Sequence, residues 1–570
     1  MAAIAAGAGS TSAGGGAAKE GTVESGQPER KILNINCGVL GHVDSGKTSL
    51  VKALSTHLST AALDKHPQSK SRGITLDLGF SSFVVPAPQH IQHEGFESLQ
   101  FTLVDCPGHA SLIKTIIGGA QIIDLMILVI DATKGIQTQT AECIVIGEIC
   151  PNTQDLIVVL NKIDLFPEDV REQKIEAMKA KLLKAFARTK FTAPPMVPVA
   201  AEVGGVKSAG EAAASDLKVT TIGLESLVDL LEDRVRLPNR TGEGNLLFAM
   251  DHCFNIRGKG TVLTGTVLRG SIKVGQEIEL PTMHLVRKVK SMQMFHKPVE
   301  SASQGDRLGM CVGNLGKGKK IERGIAVEPG SVREIHAAVA FLRKVKFFRG
   351  ECKSSSKLHI TIGHSTVMAK VTFFGYESLQ PQDRSGKVQI PDDFNFDAEY
   401  ALQEKLLGGK HGAKHGQWAI LDFEQPIVSP LKSVVIGSRL DAESSESCRI
   451  ACYGIVMAPM EKEGKYPFAG LKVYKPVKER EGTVSQVTPS GDWIVKGLFG
   501  KDTDVERFRG LKVTTADGAS GLIDGTFGKS GKIKVIFESS GTESVRKGAR
   551  VTLRLRKFIF ADNTKKKLCQ

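Results

Sequence analysis

The fragment Gly41-His42-Val43-Asp44-Ser45-Gly46-Lys47-Thr48 places two glycines, a lysine and a hydroxyl at the spacing GxxxxGK[ST]. A loop of this kind lets successive backbone N–H groups converge on phosphate oxygens, and a helix starting at its end adds a positive pole. Lys47 is expected to meet the β- and γ-phosphates, and the Thr48 hydroxyl to ligate Mg²⁺. Further on, DCPGH supplies Asp105, whose carboxylate can act on Mg²⁺ through water. It also supplies Gly108, whose peptide N–H could turn toward a γ-phosphate and sense its presence. NKID at 161–164 brings Asn161, Lys162 and Asp164. A carboxylate at Asp164 can accept hydrogen bonds from guanine N1–H and the exocyclic amine, a donor pair that adenine lacks. NKID alone would be weak, but its order and spacing with the two earlier motifs predict a site that binds GTP and GDP with Mg²⁺ and prefers GTP over ATP.

These residues need strands and helices to hold them. An apolar run over 32–40 leads straight into the glycine loop, and SLVKALSTHL after it has helical spacing, so strand, loop and helix follow one another. LQFTLVD, DLMILVID and DLIVVLNKID are further buried-type strands, ending at Asp105, Asp131 and Asp164. Each precedes a helix-like stretch, which predicts a mostly parallel sheet covered on both faces. After about residue 241 the texture changes to short Val, Ile and Thr segments punctuated by Gly, as in GTVLTGTVLRGSIKVGQEIEL. That pattern predicts antiparallel barrels or sandwiches.

The expected fold is therefore multidomain: an α/β P-loop GTPase domain, two β-barrels and a fourth small β-barrel-like domain. The expected limits are a disordered tail at 1–30, the GTP-binding domain at 31–240 and a barrel at 241–328. A second barrel follows at 329–458, with a long loop or insertion near 376–415, and a basic β domain at 466–570, after a linker at 457–467. A chain of 570 residues should hold several cores, because single cores rarely grow past about 250 residues.

The 75 basic residues exceed the 61 acidic ones, and ten of the fourteen surplus charges lie in 466–570. A positive field of that size suits a polyanion, although a soluble basic surface with no fixed partner has the same composition. Val551, Leu553 and Leu555 alternate with Thr552, Arg554 and Arg556, so one face of that strand can be buried while both arginines meet solvent. Lys472, Lys475, Arg554, Arg556 and Lys557 are the candidate RNA contacts, chosen from charge and strand placement. Ten cysteines without a CxxC pair speak against zinc and against a disulfide scaffold, and a reducing cytoplasm is expected. No apolar run reaches 18 residues, so no membrane partner is expected, and the Ala/Gly/Ser-rich start lacks a signal-peptide pattern.

Taken together, the nucleotide motifs resemble those of the translation-factor GTPases, and RGITLDLGF at 72–80 is similar to that family's first switch. The resemblance implies that the Thr75 hydroxyl completes Mg²⁺ coordination in the GTP state. It also implies that His109, after DCPG, positions the attacking water once the ribosome engages. Ala200 and Ala201 fall where the fifth nucleotide motif lies, although PVAAEVGG departs from the usual Ser-Ala-Lys or Ser-Ala-Leu.

GHVDSGKTSLVKALS, RGITLDLGFSSF, FTLVDCPGHASLIKTIIGGAQIID, MDHCFNIRGKGTVLTGTVLRG, KSMQMFHKPV and GDRLG resemble the selenocysteine-specific elongation factors in their eukaryotic or archaeal form. That resemblance implies partners: selenocysteinyl-tRNA, the ribosome, and a SECIS-type mRNA element reached through a SECIS-binding protein, with the chain monomeric. It also implies an aminoacyl pocket of Asp251, His252 and Arg307, in which Arg307 and His252 favour a selenolate and Asp251 orients His252. A selenol ionises well below the ~8.5 of a thiol, whereas a serine hydroxyl stays neutral. An Asp-His pair that only caps a barrel loop has the same residues. Two further readings stay open: a general elongation or initiation GTPase, and an RNA-binding scaffold that holds nucleotide without turning it over. The terminal domain is expected to touch the tRNA's long variable arm, the recoding complex, or both.

Overall fold

The computed structural model describes residues 32–55, 57–58, 79–107, 122–150, 152–187, 189–203, 221–240, 242–256, 260–294, 297–315, 323–363, 365–376, 391–408, 417–440, 448–460, 468, 470–528, 531–537 and 546–560. The first unit is a seven-stranded sheet of β1 (Ile32–Gly41), β2 (His57–Leu58), β3 (Gly79–Pro86), β4 (Ser98–Asp105), β5 (Leu125–Asp131), β6 (Asp155–Asn161) and β7 (Met196–Pro198). Their spatial order is β2-β3-β4-β1-β5-β6-β7. Every pairing from β4 to β7 is parallel, and only the β2–β3 and β3–β4 edge is antiparallel.

The sheet is buried on both faces, as continuous apolar runs require. On one face Leu33, Ile35, Cys37 and Val39 of β1 pack with Leu50, Val51 and Leu54 of α1 (Lys47–Leu54). On the other, Met126, Leu128 and Ile130 of β5 pack with α2 (Thr138–Ile149) and with Leu182 and Phe186 of α3 (Glu168–Phe186). Alternate residues of one strand thus serve opposite cores, and parallel pairing delivers all the loops that follow β1, β4 and β6 to one end of the sheet.

The second unit runs from β8 (Leu247–Ile256) and β9 (Gly260–Arg269) to Gly324–Val327, and the pairing of Glu277–Leu280 with both Leu285–Met294 and Gly324–Val327 closes it into a barrel. Its interior is filled by Leu263, Val267, Leu308, Met310 and Val312. A third ring of strands between Glu334 and Met460 closes through Ser356–Ile362 against Ser365–Gly375. A fourth, between Val473 and Phe558, closes by pairing its first strand with its last around a core holding Trp493, Val513, Ile533 and Leu553.

The stretch expected to be a long loop is partly built. Residues 391–408 carry the strand Tyr400–Gln403, and Phe394 and Tyr400 pack with Phe374 and Trp418. Tyr400 and Ala401 then pair in parallel with Val473 and Tyr474, fusing the third and fourth rings into one 13-stranded sheet. The segment expected to be a linker begins inside a strand, since Ile450–Met460 is continuous.

Candidate nucleotide site and the pocket beside it

The glycine loop leaves β1 at Gly41 and enters α1 at Lys47. Asp44 (φ 58°) and Gly46 (φ 90°) both adopt left-handed backbone, the alternation that turns successive N–H groups to one side. A side chain at Gly46 would collide with the Asn161 amide, so the loop is pressed against the end of β6. Asn161 fastens it there: its Nδ2 donates to the Ser45 carbonyl at 2.9 Å, while its Oδ1 accepts from Ala201 N–H at 3.1 Å.

Lys47 is 6 % exposed and donates to the His42 carbonyl at 2.7 Å. Burial lowers its pKa, with the nearby Asp105 carboxylate opposing. Burial also lowers the pKa of His42, and Lys47 adds to the effect, so its imidazole is held neutral at pH 7. The Thr48 hydroxyl donates to Asp105 Oδ2 at 2.7 Å, joining the loop to the end of β4. Val43 lies half-buried on the rim of the loop.

At the far side, Lys162 (φ 66°) reaches Asp131 at 3.0 Å. Burial alone would raise the Asp131 pKa, but hydrogen bonds from Thr133 and Lys162 outweigh it and hold the carboxyl below its usual range. Asp164 and Lys162 line a cleft of about 280 Å³ together with Gly46, Asn161 and Ala201. Ser49, Leu165 and Glu202 complete its wall. Ser49 donates to Glu202 at 3.3 Å, across 153 residues of chain. Ala200 bridges to Ile222 and so positions Ala201. Thr75, Gly108 and His109 lie outside the described residues.

A second polar site lies on the outer face of the barrel. Thr264 and Thr266 of β9 alternate with the interior residues Leu263 and Val267, so they point outward. Thr266 pairs opposite Arg307, and Thr264 opposite both Gly309 and His252. β8 is irregular between Met250 and His252, where Asp251 is the unpaired extra residue, the arrangement that re-aims a side chain. Asp251 Oδ2 accepts from Arg307 Nη1 at 2.5 Å, and the two side chains are 2 % and 6 % exposed. The family resemblance sets Asp251 behind His252; its carboxylate is engaged instead with Arg307, 56 residues away, a partnership visible only once β8 and Arg307–Val312 lie on either side of β9.

An outward barrel face is this buried because the first domain covers it: the Arg307 guanidinium carbon lies 3.1 Å from the centroid of the Phe80 ring. Burial lowers the Arg307 pKa and Asp251 opposes that, which leaves the group charged. The Thr264 hydroxyl is buried without a hydrogen-bond partner among the described residues. Phe80 closes the stretch RGITLDLGF and Thr264 lies within GTVLTGTVLRG, yet neither stretch marks these two residues for the pocket; the period-two alternation of β9 could have pointed to Thr264.

In the fourth unit, Lys472 reaches Asp397, Arg554 pairs with Glu479 at 2.9 Å and Arg556 with Glu399 at 3.0 Å. Lys475 is exposed, and the side chain of Lys557 lies outside the described residues. Exposed pairs of this kind are worth at most about 1 kcal/mol, so they leave these cations exchangeable. Among the described residues no helix is long and apolar enough to cross a membrane, and no group of three His, Cys, Asp or Glu is placed to hold a metal.

Four family models match in sequence order. The Elongation factor Tu GTP binding domain covers 33–237 and Elongation factor Tu domain 2 covers 260–327. The third domain of eukaryotic selenocysteine-specific elongation factor covers 339–454, and the eEFSec C-terminal RIFT domain covers 469–567. Fold and site together define a translational GTPase. The chain is 45 % identical over 548 residues to the selenocysteine-specific elongation factor of Mus musculus, covering 92 % of this chain and 91 % of that protein. It is 31 % identical over 533 residues to that of Methanocaldococcus jannaschii, covering 93 % and 99 %. The crystal structure of SelB from Methanococcus maripaludis in complex with the GTP analogue GppNHp superimposes with a TM-score of 0.64 at 26 % identity, over 92 % of this chain and 99 % of that one. The chain therefore belongs to the selenocysteine-specific elongation factor family.

Proposed function

We propose that this chain, loaded with GTP, carries selenocysteinyl-tRNA to the ribosome at recoded UGA codons and is released by ribosome-stimulated hydrolysis. The observation that carries the reading is the buried Arg307 on the outer face of the second domain, a desolvated cation packed against Phe80 of the nucleotide domain. A selenolate gains from such a cation, and a neutral serine hydroxyl gains only an ordinary hydrogen bond.

The Thr48 hydroxyl and Asp105 carboxylate are adjacent oxygen donors, the set that suits a small hard cation. Thr48 would hold Mg²⁺ directly and Asp105 through water, with Thr75 completing the set. Bound there, the ion would neutralise phosphate charge. Lys47 and the loop N–H groups hold the triphosphate, Asp164 reads the guanine edge and Asn161 keeps the two loops in register. His109 positions the water whose oxygen bonds to the γ-phosphorus as the bond to the β–γ bridging oxygen breaks, giving GDP and phosphate. The working parts are the domains at 31–240, 241–328, 329–458 and 466–570. The last offers its basic face to RNA, and a SECIS-type element acts through a SECIS-binding protein. The chain works as a cytoplasmic monomer.

The test is binding of selenocysteinyl-, seryl- and cysteinyl-tRNA with a GTP analogue and with GDP, followed by hydrolysis with and without programmed ribosomes. Tight binding of the first species only, dependent on the γ-phosphate, with ribosomes accelerating turnover, is expected. Broad acceptance of ordinary aminoacyl-tRNAs would point to a general carrier instead.

A further inference from the structure

Phe80 belongs to the nucleotide domain and yet is fully buried against a residue of the next domain. It is the second residue of β3, where Gly79 lies opposite Asp105 and Phe80 opposite Val104 on β4. Its ring is therefore one residue from the strand position that holds the Thr48 hydroxyl.

Among the described residues, the guanidinium it covers is used on one side only. Nη1 donates to Asp251 at 2.5 Å and lies 3.5 Å from the Thr266 hydroxyl, while Nε and Nη2 have no hydrogen-bond partner within that set. An aromatic face attracts a desolvated cation and fixes the plane of a guanidinium, so the remaining N–H edge is aimed rather than free to rotate. On the same outward face lies the buried Thr264 hydroxyl, which the described residues leave without a partner.

We propose that Phe80 is a specificity-determining residue for the aminoacyl group, holding Arg307 by its face so that the remaining N–H edge meets the selenolate. The proposal rests on the pocket reading given above and adds to it a residue from the nucleotide domain. Because β3 is laid along β4, the aim of Arg307 is tied to the strand that ends in Asp105, and discrimination between selenocysteine and serine depends on the placement of that strand.

The experiment measures affinities of the full chain for selenocysteinyl- and seryl-tRNA on one tRNA body, with a GTP analogue at a single salt concentration. Wild type, Phe80→Leu, Phe80→Tyr and Arg307→Ala are compared, with GDP affinity and thermal melting recorded for each. Phe80→Leu keeps an apolar side chain but removes the ring, and the selenocysteine-over-serine ratio is expected to fall about tenfold. Phe80→Tyr, which keeps the ring, is expected to retain the ratio; general damage to the fold would lower both affinities together and leave the ratio in place. If Arg307→Ala collapses the ratio while Phe80→Leu preserves it, the role of Phe80 is overturned and the pocket stands. If Arg307→Ala preserves it, the pocket reading fails and the proposal fails with it.

Discussion

Asn161 shows how much one side chain can organise. Its amide spans two loops that come from opposite ends of the first domain's sequence, donating to Ser45 and accepting from Ala201. Both bonds are buried, and removing the amide leaves a buried carbonyl and a buried N–H unpaired, at about 1–3 kcal/mol each. Asn161→Ala is therefore expected to weaken GDP and GTP binding about tenfold or more, read by nucleotide titration. Equal affinity for wild type and variant would mean that the loops keep their places without it. The contrast with Arg307 is one of visibility. The glycine loop and NKID are contiguous, so their chemistry is legible in the sequence. The Asp251–Arg307 pair and Phe80 are brought together by barrel pairing and by domain docking, which no local pattern records.

At the scale of elements, α2 stands out because it serves two domains. Glu142 on α2, 4 % exposed, receives Arg449 of the third domain in a two-pronged pair at 2.9 and 2.8 Å, and the Arg449 backbone N–H adds a third bond at 3.2 Å. α2 also lies against β1, the strand that feeds the glycine loop, and against β5. A buried charge left without its partner costs about 3–5 kcal/mol, whereas replacing both partners by apolar groups is often neutral. Arg449→Met is expected to lower stability by that amount in denaturant unfolding, and the double variant with Glu142→Leu to recover most of it. A double variant no better than the single one would assign the loss to packing instead. The sequence shows α2 as a helix-like companion of the sheet, but the partners are 307 residues apart and no motif marks them. The same limit applies at 391–408, within the stretch 376–415 where Gly, Lys, Asp and His set the texture; Phe394 and Tyr400 matter because Phe374 and Trp418 wait for them.

For the whole molecule, the surplus positive charge lies toward the carboxyl end, where Lys472, Arg554 and Arg556 have acidic neighbours. Deleting that ring would uncover the aromatic cluster, since Phe468, Leu471 and Val473 are part of it. Charge substitution is the cleaner probe. Replacing Lys475, Arg554 and Arg556 by Gln should make the plot of log affinity for tRNA against log salt shallower by about 0.7–0.9 for each phosphate that the ring no longer neutralises. A slope that does not move would take this face out of RNA binding. The alternation at Val551–Arg556, with aliphatics inside and both arginines turned outward, was legible because a strand's period is local. Which acidic residues those arginines meet was not, because Glu399 belongs to another ring.

The lap of Tyr400 and Ala401 on Val473 and Tyr474 has a mechanical meaning. Two residues of parallel overlap, backed by a wad of aromatic rings, make a seam much shorter than the long pairing that closes the last cylinder on itself. Were a partner to pull on the end cylinder, the load would cross that seam, and the cylinder would tilt as a unit while every stave within it kept its neighbours.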